Sequence, residues 1–263
     1  MRSFFIFDGK NSKDFNLWIE YLPDTTFPER RGESYQIDGA NGVRYREDGT
    51  FENVEQSYEV WFRDWQSDRD MYQIGNDIAK WLIGSSGYCR LEDTYNPEYF
   101  RLARFAGPLN FQTTLRKFGR GTLVFDCLPH RYLKSGEDVV ESDGSGFTLI
   151  NPTGFTPSPL IKVTGSGTVG IRLVSLQGVF NIGYTDIRLA IGSTSKTVVL
   201  DCANYTAQVN GEDVDDIVTF YGSDTYPTFP KLSKGSTLVS ALSDETYTGT
   251  LTKIEVVPRW WTI

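Results

Sequence analysis

The chain reads Pro129-His-Arg-Tyr-Leu-Lys-Ser-Gly-Glu-Asp-Val-Val-Glu-Ser-Asp-Gly-Ser-Gly146 between two regions of different character. An apolar run, Thr122–Leu128, ends at Pro129, and from Lys134 the sequence is polar, small and without period, which is typical of a connector. The chain restarts with Phe147-Thr-Leu-Ile150. We therefore place a domain boundary near residue 135, which gives domains of residues 1–135 and 136–263.

Length and cysteine usage fit two ordinary domains. A chain of 263 residues can bury a sizeable core without a disulfide or a metal. Cys89, Cys127 and Cys202 are isolated and odd in number, so we expect reduced thiols in a chain made in a cytoplasm. The apolar run at the N-terminus is too short for a signal peptide, and no window suits a spanning helix, so no membrane insertion is expected.

Charge and composition differ between the two halves. Residues 1–135 hold 18 Lys and Arg against 20 Asp and Glu, and residues 136–263 hold 8 against 14. Neither half is basic, so specific nucleic-acid binding is not expected. Because 13 of the 16 Arg and four of the six Trp lie in the first half, that half has the composition of a protein–protein interface, although ordinary surface Arg and core Trp remain the alternative.

The first half predicts a mainly antiparallel sheet with one helix. Val54–Phe62 alternates, with Val54, Gln56, Tyr58, Val60 and Phe62 on one side. The helix is predicted over 68–83, with Ser67 as N-cap and a stop at Gly84. The other predicted strands are Phe4–Phe7, Phe15–Tyr21, Tyr88–Glu92, Tyr99–Phe105, Leu109–Thr114 and Gly121–Leu128.

A hairpin between Tyr35 and Phe51 has few large aliphatic residues. It carries Asn41-Gly42, a strong signal for a two-residue hairpin turn, and a second turn at Asp48-Gly49. Since this hairpin cannot bury a face of its own, we expect it to project onto another body; a solvated loop is the alternative. Its candidate contact residues are Tyr35, Ile37, Asn41, Gly42, Arg44, Tyr45 and Arg46.

The second half has no helical period and predicts a β-sandwich. Short strands recur with turn residues between them, and Gly165 with Gly167 predicts one of these turns. A further hairpin turn is predicted at Asn210-Gly211. The predicted strands are Leu160–Thr164, Val169–Leu173, Val179–Ile182, Ile187–Ile191, Thr197–Asp201, Tyr205–Val209, Thr237–Leu242 and Leu251–Val257.

Residues with catalytic or ligand-binding chemistry are sparse. The single histidine, His130, has no nucleophile motif near it, so a packing role is favoured over a base. Asp213-Val-Asp-Asp216 with Asp201 lacks the calcium-loop pattern, which favours a solvated acidic turn. No catalytic residue, metal or cofactor is therefore predicted.

Several short motifs, taken in order, resemble the distal tail proteins of long, non-contractile-tailed bacteriophages. The resemblance covers nearly the whole chain. It lies in the opening Phe5-to-Phe15 motif, Gly39-Ala-Asn-Gly42, the restart from Asn151 to Gly167, Phe229-to-Gly235, and the ending Thr252-Lys-Ile-Glu-Val-Val-Pro-Arg-Trp-Trp-Thr-Ile263.

This resemblance implies a structural virion protein, made in the bacterial cytoplasm and located at the phage tail tip. It implies that domain 1–135 forms a homohexameric ring continuing the tail tube, with a lumen for DNA, and that domain 136–263 is a galectin-like or carbohydrate-module-like sandwich at the periphery. The implied partners are the major tail tube protein, the tape measure protein, the tail-associated tip protein and, in some phages, a receptor-binding protein.

Two other functions stay open from the residues. A lectin-like, carbohydrate-binding module for attachment to the host cell wall is the second hypothesis, and a glycan-cleaving enzyme is the third. We also expect Arg259–Ile263 to pack between the domains, because Pro258 ends the preceding strand and adjacent strand residues point to opposite faces. The candidate residues for this packing are His130, Arg259, Trp260 and Trp261.

Overall fold

A computed structural model describes residues 3–63, 71–115, 118–177, 180–223 and 228–263 of the chain. The chain divides into two compact units, Met1–Arg131 with Ile263, and Tyr132–Thr262. Each unit has its own hydrophobic core. Among the described residues, no helix has both the length and the apolar character needed to cross a membrane.

The first unit is built on an antiparallel sheet with one described helix. The sheet order is β2-β1-β7-β8-β10-β6-β3, with β9 beside β10, whereas β4 and β5 pair only with each other. The elements are β1 Phe5–Phe7, β2 Lys10–Asn11, β3 Leu17–Ile19, β4 Arg30–Gln36, β5 Val43–Phe51, β6 Val54–Arg63, α1 Met71–Gly84, β7 Cys89–Asp93, β8 Tyr99–Phe105, β9 Phe111–Leu115 and β10 Phe118–Leu133.

Strand β6 confirms the predicted alternation. Its burial alternates along the strand, and the five residues placed on one side are the buried ones. Helix α1 packs on this sheet through Ile74, Ile78 and Trp81, and the Trp81 indole N–H donates to the Phe7 carbonyl at 2.9 Å. The helix ends at Gly84 as predicted, while its predicted start at Ser67 lies outside the described residues.

Two tight turns follow directly from residue type. Asp8 and Gly9 have φ angles of 50° and 72° and join β1 to β2 with Phe7 opposite Lys10. Asn210 and Gly211 have φ angles of 55° and 85° in the corresponding turn of the second unit. Positive φ at both central residues matches the right-handed twist of the strands, which explains why Asp-Gly and Asn-Gly occur there.

The second unit is built on a single curled sheet, and its described strand pairs are antiparallel. One path runs β11-β19-β13-β14-β15-β16; β18 joins β12 to β13, and β17 pairs with β14. The strands of this sheet are β11 Val140–Ser142, β12 Phe147–Ile150, β13 Leu160–Gln177, β14 Phe180–Asp201, β15 Thr206–Val209, β16 Glu212–Asp213, β17 Val218–Gly222, β18 Ser236–Leu242 and β19 Thr250–Val257. A short strand, β20 Trp261–Thr262, is not part of it.

Strands β13 and β14 correct the prediction of several short strands. They run without interruption past Gly165, Gly167 and Gly192, and the pairing register shifts around the first two. Gly167 and Gly192 have φ angles of 75° and 86°, which permit bulges that bend a strand without ending it. The two halves of the bent sheet therefore enclose one core, shared by residues such as Ile161 and Ile171.

The predicted connector is part of the second unit. Lys134–Glu137 forms a 3-10 helix, and β11 pairs with β19 through Glu141 opposite Glu255. Strand β10 also continues through Pro129, where we expected it to end. Its pairing with β6 stops at Cys127, so the missing N–H of Pro129 costs no bond on that side.

The predicted strand Phe15–Tyr21 is shorter than expected. Ser12–Phe15 forms a 3-10 helix, Asn16 has a φ angle of 52°, and only Leu17–Ile19 is extended. The ring of Phe15 stacks on Trp81 with centroids 4.5 Å apart, so this aromatic residue packs from the 3-10 turn. The fold class is nevertheless confirmed as mainly β with a helix in the first unit, whereas the galectin-like detail stays a prediction.

Candidate functional site

The candidate site is the two-stranded ribbon of β4, β5 and their loop, Arg30–Phe51, which we call the arm. Every residue of β4 is exposed, and so is every residue of β5 before Phe51. At about 3.3 Å per residue, each strand is roughly 25 Å long. In the described part of the chain, neither strand pairs with the main sheet, so the arm has no core of its own.

The tip of the arm differs from the two-residue turn that we predicted. Gln36 pairs with Val43, so the loop is Ile37–Gly42 rather than Asn41-Gly42 alone. The Ala40 N–H donates to the Ile37 carbonyl at 3.1 Å. Gly39 and Gly42 supply the positive φ angles, 80° and 84°, and the turn is therefore distributed over two glycines.

The predicted turn at Asp48-Gly49 is a bulge within β5. Arg30 pairs with Phe51 and Gly32 with Glu47, so β5 has extra residues between these two pairs. The Asp48 carboxylate accepts from the Thr50 N–H at 2.8 Å and from the Thr50 hydroxyl at 2.7 Å, which closes the bulge. These bonds from Thr50 lower the pKa of Asp48.

Register divides the predicted contact residues between two faces and the tip. Paired residues of an antiparallel ribbon share a face, and successive residues alternate. Tyr35 pairs with Arg44, and Glu33 with Arg46, which places these four side chains on one face. Tyr45 pairs with Ser34 and belongs to the opposite face. Ile37, Asn41 and Gly42 lie in the tip loop.

The Tyr45 face is braced within the arm. The Tyr45 hydroxyl donates to the Arg30 carbonyl at 3.0 Å, and a Cβ placed on Gly32 would lie 2.7 Å from the Tyr45 ring. The ring thus covers the glycine, a device that strengthens a strand otherwise weakened by glycine. Arg30 also pairs with Glu47 at 2.7 Å. Our sequence reasoning missed Gly32, although a glycine inside a strand-like run signals a close approach.

At its root the arm is closed by a bidentate ion pair. Arg31 Nε and Nη2 donate to the two carboxylate oxygens of Glu52 at 2.8 and 2.9 Å. The Glu52 N–H donates to the Glu29 carbonyl at 2.9 Å. The bond from Arg31 lowers the pKa of Glu52 and raises that of the guanidinium.

The Tyr35 face has no such internal partners. Arg44 and Arg46 are exposed, and among the described residues neither guanidinium forms an ion pair. Tyr35 is half exposed, at 50 %. Tyr35 lies opposite Arg44 and shares its face with Arg46 and Glu33, and Tyr and Arg are the residue types enriched at interface anchors. The arm face of Tyr35, Arg44 and Arg46 is therefore the strongest candidate contact surface.

The predicted interdomain residues are found in both units. Within the second unit, Trp260 is buried in the core, Trp261 stacks on Phe155 at 4.4 Å, and Arg259 makes a bidentate pair with Asp201 at 2.6 and 3.2 Å. Within the first unit, burial lowers the pKa of His130, so its imidazole is neutral at neutral pH. Packing of these residues between the two units stays a prediction.

The turn after Val257 follows the sequence pattern. Strand β19 ends before Pro258, and Ile254 and Val256 are fully buried, as the alternation predicts. Arg259 then has a φ angle of 57°, and its N–H donates to the Gly136 carbonyl at 2.8 Å. A Cβ on Gly136 would lie 2.4 Å from the Trp260 nitrogen, so this close approach requires glycine.

No group of three or more His, Cys, Asp or Glu side chains in the described ranges has the spacing to hold a metal ion. The acidic residues considered for calcium have other roles. Asp201 forms an ion pair with Arg259. Asp213 accepts a hydrogen bond from the Gln208 side-chain amide at 2.9 Å, and Asp215 accepts one from the Ala207 N–H at 3.1 Å.

Comparison with known proteins identifies the fold. No protein-family model and no curated protein sequence matches the chain. A solved structure does match: the SPP1 Dit protein, described as a paradigm of the hub adsorption apparatus in phages that infect Gram-positive bacteria. The match has a TM-score of 0.71 and 13% sequence identity, and it covers 99% of each chain. The chain therefore has the fold of a Dit-like distal tail protein, as its sequence motifs indicate.

Proposed function

We propose that this chain is a structural virion protein of a phage tail tip. The observation that carries the proposal is the structural match to the SPP1 hub protein over 99% of both chains. Both units of the chain are included in a match of that extent, so the likeness is not limited to a common β-sheet module. The role is non-catalytic in this proposal.

The first unit is proposed to assemble into a homohexameric ring. A closed ring uses heterologous contacts, in which one surface of each subunit meets a different surface of its neighbour. An isolated two-stranded hairpin is marginally stable in water. An exposed arm whose Tyr35, Arg44 and Arg46 have no partner within the described part of the chain suits such a contact, since the neighbour can supply apolar and acidic groups for them.

The ring is proposed to act as a hub with a lumen for DNA. The first half of the chain holds 18 basic and 20 acidic residues, and this balance suits a channel through which DNA moves without binding. In this proposal the ring joins the major tail tube protein and the tape measure protein to the tail-associated tip protein. The second unit lies at the periphery, where a receptor-binding protein attaches in some phages.

Ring assembly by the full chain is the experiment that tests this function. We expect hexamer mass in solution and six-fold rings in negative-stain images. The double variant Arg44→Glu with Arg46→Glu should abolish rings, because it reverses both unpaired charges of the arm face. A matched control is Lys162→Glu with Lys196→Glu in the second unit, which makes the same change in net charge and should leave the rings intact.

A chain that stays monomeric at high concentration, also with the tail-tip partner added, would contradict the hub proposal. Rings that persist in the arm variant and in the control would support a hub but exclude the arm face as its contact surface. Circular dichroism of each variant shows whether the monomer still folds.

Carbohydrate binding is the second candidate function. The observation that favours it is a cleft of about 780 Å³ in the second unit, bordered by Tyr184, Tyr205 and Phe229. Tyr205 is half exposed, and an exposed aromatic ring offers a platform for a sugar. Calorimetric titration with host-wall saccharides distinguishes the two candidates: a lectin binds at millimolar or lower concentration as a monomer, and Tyr205→Ala weakens this binding.

A further inference from the structure

A small cavity in the first unit brings two arginines together. It has a volume of about 40 Å³ and lies beside β6, β8 and the segment that precedes the arm. Arg101 and Arg131 border it, together with Tyr58, Asp93 and Asp24. This cavity is separate from the arm face and plays no part in the function proposed above.

Arg101 is buried with unused hydrogen-bonding capacity. Its exposed fraction is 9%. Nη2 contacts the Thr26 carbonyl at 3.4 Å, whereas Nη1 is buried and has no hydrogen-bond partner. A guanidinium carries five N–H donors, and leaving them unpaired away from water is costly. Nη1 of Arg101 thus has no hydrogen-bond acceptor among the described residues.

The Arg131 guanidinium also has unused hydrogen-bonding capacity. Its Nε is buried without a partner, although Nη2 donates to the main-chain oxygen of Ile263 at 2.7 Å. The guanidinium carbon lies 5.4 Å from the centre of the Tyr99 ring and 5.6 Å from that of Phe27. These aromatic contacts stabilise the cation but accept none of its hydrogen bonds in the plane of the group.

The neighbouring acidic groups do not neutralise the two arginines by direct ion pairs in the described ranges. The Asp93 carboxylate accepts from the Tyr58 hydroxyl at 2.8 Å and from the N–H groups of Tyr95 and Asn96 at 2.8 and 2.9 Å. Asp24 contributes its backbone carbonyl, which lies 3.5 Å from the Gln56 amide.

The other titratable neighbours are uncharged. Burial raises the pKa of the Cys127 thiol to about 12 and that of the Tyr58 hydroxyl well above its ordinary value. Burial also lowers the pKa of Arg101, and the like charge of Arg131 acts in the same direction. Arg101 and Arg131 thus face one cavity, and the Asp93 carboxylate borders it with them without forming a direct ion pair with either guanidinium in the described part of the chain.

We propose that this cavity binds one small monovalent anion from solvent, of the size of chloride or formate, between Arg101 and Arg131. A water needs roughly 10–15 Å³ of such volume, so a halide or a group of three heavy atoms fits, and phosphate or sulfate does not. The anion accepts hydrogen bonds from both guanidinium groups and reduces the repulsion between them.

The position of the cavity gives the anion a structural consequence. Arg101 contacts the Thr26 carbonyl, and Arg131 lies over the Phe27 ring. Thr26 and Phe27 belong to the segment that leads into the arm at Arg30. An anion that fixes both guanidinium groups therefore also holds this segment against the sheet.

Bromide provides a direct test on the full chain. Crystals grown in sodium bromide should show an anomalous peak within hydrogen-bond distance of Arg101 and Arg131. Water at this position in bromide would overturn the proposal. So would a carboxylate from a neighbouring copy of the chain, because the acceptor would then be a protein side chain and not a solvent anion.

A measurement in solution tests the same site without crystals. Replacing gluconate by chloride at constant ionic strength should raise the melting temperature of the native chain by about 2–4 °C, since a ligand that binds only the folded state stabilises it. Arg101→Gln and, separately, Arg131→Gln should abolish the shift. Arg104→Gln, which removes an exposed arginine from the same strand, should keep it.

An equal chloride effect in all four proteins would overturn the proposal, because the effect would then be one of general salt. Absence of any effect on the native chain would overturn it as well. This second outcome is measured on the native chain alone, so the test remains valid even if an arginine variant fails to fold.

Discussion

The arm and the ribbon of β13 and β14 share the same backbone pairing but differ in what their side chains touch. Both are long antiparallel ribbons with a bulge. In the second unit, Ile161, Ile171 and Leu200 are fully buried in a core. In the arm, the residues of β4 are all exposed.

This difference separates the contribution of the backbone ladder from that of apolar burial. A ladder exchanges hydrogen bonds with water for hydrogen bonds within the protein, so its net contribution is small. Burying one large apolar side chain contributes about 1.5–3 kcal/mol. The β13–β14 ribbon is therefore stable within its own chain, whereas the arm depends on local side-chain bonds and, in the proposed ring, on a neighbouring subunit.

The largest expected difference comes from truncating an apolar side chain in each ribbon. Ile171→Ala should reduce the free energy of unfolding by about 2–5 kcal/mol, because it leaves a cavity in the core. Val43→Ala in the arm should change it by less than about 0.5 kcal/mol, since Val43 is 65% exposed. Urea unfolding of both variants measures this, and equal losses would show that the arm is part of the folding core.

A glycine under a tyrosine ring occurs in both ribbons and allows a finer comparison. A Cβ on Gly170 in β13 would lie 2.3 Å from the Tyr247 ring, and one on Gly32 would meet Tyr45 and the Arg46 carbonyl. Gly170→Ala should cost about 1–3 kcal/mol, because Tyr247 must leave its place on the sheet. Gly32→Ala should leave global stability unchanged.

Amide hydrogen exchange measures the effect of Gly32→Ala on the arm. In Gly32→Ala the amides of β4 and β5 should exchange faster, since the new Cβ pushes the strands apart at Arg46. Loss of global stability in Gly32→Ala would mean that the arm folds cooperatively with its unit. Unchanged arm exchange would mean that Tyr45 does not brace the ribbon.

The burial of regular strands could be predicted from the sequence because side-chain alternation alone determines it. Val54 to Phe62 alternates throughout, and the predicted side is the buried one. The lengths of β13 and β14 could not be predicted, because Gly165 and Gly167 allow the backbone conformations of a turn and of a bulge equally. Long-range pairing with β18 and β19 keeps these segments in one strand.

For the arm, too, the sequence predicted exposure but not the details of strand pairing. The scarcity of aliphatic residues between Tyr35 and Phe51 predicted a hairpin that buries little, and the arm is exposed as expected. The division into a Tyr35 face and a Tyr45 face follows from register, which depends on the six-residue tip loop and on the bulge at Asp48. Asn-Gly forms a two-residue turn at Asn210, but at Asn41 it is the end of a longer loop.

The smallest expected difference concerns a bidentate ion pair between an arginine and a carboxylate in each region. Arg259 binds Asp201 within the second unit, and Arg31 binds Glu52 at the root of the arm. Burial by itself would raise the pKa of Asp201, but the bonds from Arg259 and from two backbone N–H groups outweigh it, so the pKa is lowered. The pKa of Glu52 is also lowered, through its bond from Arg31, but this pair is exposed.

Because the folded-state pKa of Asp201 is below the unfolded value of about 3.9, its contribution is complete above that pH and is lost as the pH falls through the folded value. At pH 7, Asp201→Asn should therefore reduce the free energy of unfolding by about 1 kcal/mol, a value discounted for partial exposure. As the pH falls below the folded-state pKa of Asp201, the native and variant proteins should converge. Glu52→Gln should follow the native curve at every pH, since solvent screens the arm pair. Urea unfolding across this pH range measures both variants. A pH-dependent loss of stability in Glu52→Gln equal to that in Asp201→Asn would contradict the prediction. It would show that bonds within the arm are enough to stabilise its root, as in the buried ribbon, without a partner.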